Sequence, residues 1–336
     1  MPRLPNFFLV GAPKAGTTAL YCYLGQHPRI YTSPMKEPNF FAAEVREENF
    51  DSAVRRSLAR EEARLSAFLS GPMQKKRFGG IVADWEDYLR LFAQARDELA
   101  VGEASVCYLW SQTAPVRIAE KIPGAKILIM LRNPVDRAFS QYLHGVGNGS
   151  IRWSFREHIR RNLRQRSGVF SLAYPFLEFG LYAEQVTRYR ELFAENVWVS
   201  LYDDFVERPA DILREICRFL GVDAAFPFKT GAREMEAQVP RIAAAGWLKR
   251  SGWWQAGASV TPAKLRPLIR KLLMHRPTRL RMEPADREYL ANFYRDDLRK
   301  LATLLDRDLS RWCQGTDGVS KRIAGTLDGW RCPETF

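Results

Sequence analysis

The segment FFLVGAPKAGTTALYCYL, residues 7–24, passes from an apolar tetrapeptide through a loop with two glycines into residues at helical spacing. Residues 7–10 suit a buried parallel strand, and Leu20 and Leu24 fall on one face of a helix beginning at Thr17. Gly11 and Gly16 keep the spacing of the nucleotide triphosphate loop G-x-x-x-x-G-K-[ST]. However, Thr17 follows Gly16, and the loop's lysine, Lys14, lies between the glycines. Backbone N–H groups of Ala15, Gly16, Thr17 and Thr18 are therefore expected at a helix N-terminus, facing an anion. A turn that uses glycine only to bend is the plain alternative. The displaced lysine removes the usual reach to a γ-phosphate, and no later apolar strand ends in the Asp that would hold magnesium beside it.

Beyond this unit, strands alternate with helices. LAVGEASVCYL (99–109) holds a short apolar segment ending near Glu103, and NVWVSLYDDF (196–205) reads as a strand followed by the helical PADILREICRFLG (209–221). In AKILIMLRNPVDRAFSQYL (125–143) an apolar run meets Asn133-Pro134, a cap followed by a first-turn proline, after which Val135, Phe139 and Tyr142 repeat at helical spacing. The alternation predicts an α/β fold with a central parallel sheet flanked by helices. Arg132 is either a solvated charge at a strand end or, with Ser140 on the next helix, an anion site. In open parallel sheets ligands bind beyond the carboxyl ends of the strands, where Gly11 and Arg132 both fall, which favours the anion site.

The chain has 336 residues, 46% of them hydrophobic, and a formal charge of +13. We expect one domain over residues 1–313 with a tail at 314–336. The charge suits an anionic ligand or a uniformly basic surface. Cys22, Cys107, Cys217, Cys313 and Cys332 form no C-x-x-C pair and the four histidines show no metal-ligand spacing, so we expect free thiols and no metal. With no long apolar stretch, and a first strand close to Met1, a cytoplasmic location is expected.

The pairing of GAPKAGTTAL (11–20) with LRNPVDRAFSQY (131–142) resembles the sulfotransferases that use 3′-phosphoadenosine 5′-phosphosulfate (PAPS), particularly the bacterial and heparan sulfate branch. The likeness continues through SPMKEPNFF, GEASVCYL, FGLYAEQVTRYRELF and YRDDLRKLATLLDRDLSRW, covering roughly residues 7–312. It implies a P-loop-like sulfotransferase fold that needs no metal, with PAPS as donor and 3′,5′-adenosine bisphosphate (PAP) as product. Lys14, Ala15, Gly16, Thr17 and Thr18 would grip the 5′-phosphosulfate, Arg132 and Ser140 the 3′-phosphate, and Arg241 in AQVPRIAAAG would add a late-loop contact. Glu37 in KEPNFF matches the catalytic glutamate of heparan-type members, with Lys14 placed at the leaving group. Lys36, Phe40 and Glu103 are expected on the acceptor side.

Local sequence alone would not select Glu37, since Lys36-Glu37-Pro38 also reads as a solvated turn. Phe40 and Phe41 favour its partial burial. Glu103 and His144 are the competing bases, and His27 reads as structural, ending the first helix. Two departures from the family bear on the acceptor: Ala104 stands where many members have a lysine, and the cysteine spacing holds no counterpart of the heparan enzymes' disulfide loop. Residues 237–282 carry ten lysines and arginines and no carboxylate, with Trp247, Trp253 and Trp254 among them. This composition suits an anionic glycan, a lipid surface or plain solvation; nucleic acid is not expected, because no recognition motif accompanies it. The predicted acceptor is a hydroxyl or amine of a glycan, glycolipid or small molecule, with peripheral contact at the inner membrane surface as a further expectation. A phosphotransferase or a non-catalytic anionic-polymer or membrane binder is the alternative.

Overall fold

The computed structural model describes residues 3–165, 170–171, 174–230, 239–240, 274–275 and 280–313. Its strands are β1 Phe7–Gly11, β2 Ile30–Thr32, β3 Met35–Lys36, β4 Arg77–Phe78, β5 Ala100–Ala104, β6 Lys126–Leu131, β7 Val197–Leu201, β8 Val239–Pro240 and β9 Met274–His275. Five of these form one parallel sheet in the order β2-β5-β1-β6-β7, with Phe7 level with both Gly102 and Lys126, and Ile127 level with Val197. Central strands β1 and β6 are apolar and buried almost throughout, as strands covered on both faces must be. Each fully buried Leu or Ile there contributes about 1.5–3 kcal/mol of apolar transfer.

The helices are α1 Thr17–Leu24, α2 Ser52–Ser70, α3 Trp85–Arg90, α4 Thr113–Lys121, α5 Pro134–Gly147, α6 Phe155–Arg164, α7 Tyr182–Phe193, α8 Tyr202–Glu207, α9 Pro209–Leu220, α10 Pro284–Leu305 and α11 Ser310–Cys313. Helix α1 packs on β1, β2 and β5, α7 on β6 and β7, and α10 on α7. The α/β parallel-sheet expectation is met. Asn133 caps α5 by accepting from the Val135 and Asp136 N–H groups, with Pro134 in the first turn.

Sheet order sets where a ligand can sit. After β1 the chain leaves for β2 at the far edge, returns through β5 beside β1, then crosses to β6 on the other side. The connections after β1 and β6 therefore part around the carboxyl end of β1 and leave a crevice. Among the described residues no helix is long and apolar enough to cross a membrane. Cys22, Cys107 and Cys217 are buried free thiols. His27 ends α1 as expected: Nδ1 accepts from the Arg29 N–H, and Nε2 meets the Asp223 carbonyl at 3.0 Å.

Candidate active site

The β1–α1 loop is built around two left-handed residues, Lys14 (φ 65°) and Gly16 (φ 78°), the latter being the N-cap of α1. A Cβ at Gly16 would stand 3.0 Å from the Tyr202 ring, so this position needs glycine for both its φ and its space. The first helical bond runs from the Leu20 N–H to the Gly16 carbonyl, which leaves the N–H groups of Thr17 and Thr18 ahead of the helical ladder. Ala15 differs from expectation, because its N–H turns back to the Ala12 carbonyl at 3.3 Å.

Arg132, at the end of β6, is 7% exposed and donates to the Lys14 carbonyl at 2.8 Å. Its guanidinium lies over the Tyr202 ring, 4.6 Å from the centroid. The two motifs that are 118 residues apart in sequence are thus one surface, with Tyr202 touching both. Ser140 sits two turns into α5 and is 8% exposed. Sequence reasoning gave Tyr202 no role; its only signal was an aromatic at the end of a predicted strand.

A second group of residues lies at the ends of β3 and β5. Lys36 is 2% exposed and its ammonium is 2.5 Å from the Glu37 carboxylate, whose side chain is about one-third exposed at 34%. The Glu37 N–H bonds the Ala104 carbonyl and the Ser105 N–H bonds the Leu9 carbonyl, so this turn hangs on the strand beside β1. Glu37 and Asn39 both have positive φ, at 64° and 56°, and the Asn39 amide donates to the carbonyls of Glu37 and Gly80. Left-handed backbone at a glutamate is strained and persists only where its surroundings fix it. Arg46 supplies part of that fixation by donating to the carbonyls of Asn39, Phe40, Ala42 and Val45, and Arg117 donates to those of Phe40 and Phe41.

Two expected acceptor-side residues lie elsewhere than the sequence suggested. Glu103, expected past a strand and lining the cleft, is inside β5 and 1% exposed. Phe40 is 3% exposed and stacks on Tyr88, which offers an acceptor little surface. His144 is exposed in the last turn of α5, and Arg241 lies outside the described residues, as does most of the 237–282 segment.

The sulfotransferase family model matches residues 5–226. The chain belongs to that family. A solved relative, described as a sulfotransferase from Alicyclobacillus acidocaldarius, is 35% identical; the match covers 93% of this chain and 100% of that one, with a TM-score of 0.68. This family member is also similar to two curated proteins. Bifunctional heparan sulfate N-deacetylase/N-sulfotransferase 1 of Mus musculus is 29% identical over 232 residues, 67% of this chain and 23% of that protein. Bifunctional heparan sulfate N-deacetylase/N-sulfotransferase 2 of Bos taurus is 27% identical over 310 residues, 91% of this chain and 30% of that protein. The chain therefore spans less than a third of the length of these curated relatives.

Proposed function

We propose that this chain moves a sulfuryl group from PAPS to an amine or hydroxyl, with a glycan as the acceptor class to test first. The observation that carries the reading is the junction of the two motifs: the Arg132 guanidinium on the Lys14 carbonyl, beside a glycine-opened helix start. On this reading the surface would offer two kinds of anion donor, the backbone N–H groups with the Lys14 ammonium for one phosphate and the Arg132 guanidinium with the Ser140 hydroxyl for the other, which suits a nucleotide with phosphates at both ends. The bound donor would supply an activated sulfuryl group. Lys14 would neutralise the charge building on the departing phosphate, and Glu37 would accept the proton released by the attacking group. The glycan acceptor is suggested by curated relatives that are named for heparan sulfate.

Calorimetry with PAP, ATP plus magnesium, and heparin separates the readings. PAP binding in the absence of metal, with ATP much weaker, supports the sulfotransferase reading. Tight ATP–magnesium binding would favour a phosphotransferase, and heparin binding without PAP would favour a polymer binder. Turnover of PAPS with de-N-sulfated heparin as the first acceptor is expected to persist in excess chelator, because the charge at the leaving group is assigned to Lys14 and backbone N–H groups. Loss of turnover on chelation, with rescue by magnesium, would overturn that assignment.

A further inference from the structure

Glu103 is the carboxylate that the mechanism leaves unused, and it lies directly behind the Glu37 turn. Its Oε1 accepts from the Tyr108 hydroxyl at 2.8 Å and the Tyr88 hydroxyl at 3.3 Å, and its Oε2 accepts from the Ser105 hydroxyl at 2.7 Å. Two of these hydroxyls then accept from the turn itself: Ser105 Oγ from the Asn39 N–H and the Tyr108 oxygen from the Phe41 N–H, both at 3.2 Å. A hydroxyl has one proton, so giving it to Glu103 leaves its lone pairs for the N–H.

We infer that Glu103 is a positioning residue: its ionised carboxylate orients the Ser105 and Tyr108 hydroxyls as acceptors for the Asn39 and Phe41 N–H groups, and so holds the turn that presents Glu37. The inference rests on the reading of Glu37 as the base, but its mechanics concern only the turn. A protonated or amide group at this position would itself donate, to Ser105 from one side of the carboxyl or to Tyr108 from the other. The hydroxyl that accepts it would turn its own proton away and divide its lone pairs between that donor and the N–H, which weakens the bond to the turn.

The groups facing this carboxylate are Lys36 from β3, Tyr88 from α3, Ser105, Cys107 and Tyr108 from the segment after β5, and Tyr189 from α7, with Glu37 and Glu44 nearby. Burial raises the Glu103 carboxyl to about 7, and the three hydroxyls and Lys36 oppose that rise. The folded protein thus holds more protons than the unfolded chain from the ordinary carboxylate range up to about pH 7. This group makes global stability fall as pH rises through that window and contributes no further change above it. Order in the turn should move the opposite way, increasing as Glu103 ionises.

Amide hydrogen exchange, corrected for intrinsic rates, reads that opposition without any acceptor substrate. In the wild type, protection at Asn39 and Phe41 is expected to rise about 10-fold between roughly pH 6 and 8, while amides in α10 show no such step. Glu103→Gln should abolish the step at both positions. Ser105→Ala should release Asn39 alone and Tyr108→Phe should release Phe41 alone, since each variant removes the oxygen that accepts from that one N–H. Retention of the wild-type step in Glu103→Gln would overturn the inference. If that variant fails to fold, wild-type protection of Asn39 in Ser105→Ala and of Phe41 in Tyr108→Phe would overturn it instead. Glu37→Gln should keep the step, so a failed base assignment shows up separately, as retained turnover in that variant.

Discussion

Glu37→Gln is expected to lower kcat by about 100- to 10,000-fold, the usual cost of removing a general base. The amide keeps the size of the side chain and leaves an oxygen facing the buried Lys36 ammonium, so the melting temperature and PAP affinity should stay close to wild type. Two controls separate chemistry from architecture. His144→Asn changes an exposed residue in the last turn of α5 and should cost little. Glu103→Gln should cost less than Glu37→Gln, because it disturbs the turn that carries the base without removing the base. Steady-state rates of the three variants with de-N-sulfated heparin, or with any acceptor whose sulfated form appears in a donor-loaded extract, decide the matter. Near-full activity in Glu37→Gln, with a collapse in either control that remains folded, would reassign the base.

The second large effect concerns the donor. Arg132→Ala should weaken PAP binding by about 2–5 kcal/mol, the cost of truncating one partner of a buried, hydrogen-bonded charge pair. Arg132 also holds the Lys14 carbonyl and lies on Tyr202, so loss of the side chain could loosen the loop as a whole. Adenosine 5′-phosphosulfate lacks the 3′-phosphate and reports on that part alone. A large loss for PAP with a small one for adenosine 5′-phosphosulfate places Arg132 at the 3′-phosphate. Equal losses would mean that it acts through the loop.

The fold was legible because its signals are local. The apolar strands β1, β6 and β7, the Asn133-Pro134 helix start and the span of α1 each follow from residues within one or two turns. The proximity of Lys14 to Arg132 was also readable, since strand ends of a parallel sheet share one edge. What escaped was side-chain direction. In GEASVCYL a strand that stops at Glu103 and one that runs to Ala104 look alike, yet the difference turns this carboxylate from a cleft residue into a buried one. Phe40 differs for a related reason: an aromatic beside a polar turn has no period, and its burial against Tyr88, Phe41 and Trp85 shows that it belongs to the core. Tyr202 meets Gly16 at a separation of 186 positions along the chain, and no spacing rule reaches that far.

The turn that presents Glu37 is tied by Arg46 and Arg117 to backbone carbonyls, so these two cations are matched by dipoles. Mobile anions compete readily for an exposed lysine or arginine on a surface of net charge +13, and the reach of that surface shrinks from about 10 Å in 0.1 M salt to about 3 Å in 1 M. Partly buried guanidiniums that end on carbonyls offer no carboxylate for salt to displace. Ionic strength therefore acts on how often anionic substrates arrive and stay, and leaves the geometry that awaits them intact: KM should climb steeply with added salt while kcat holds nearly level.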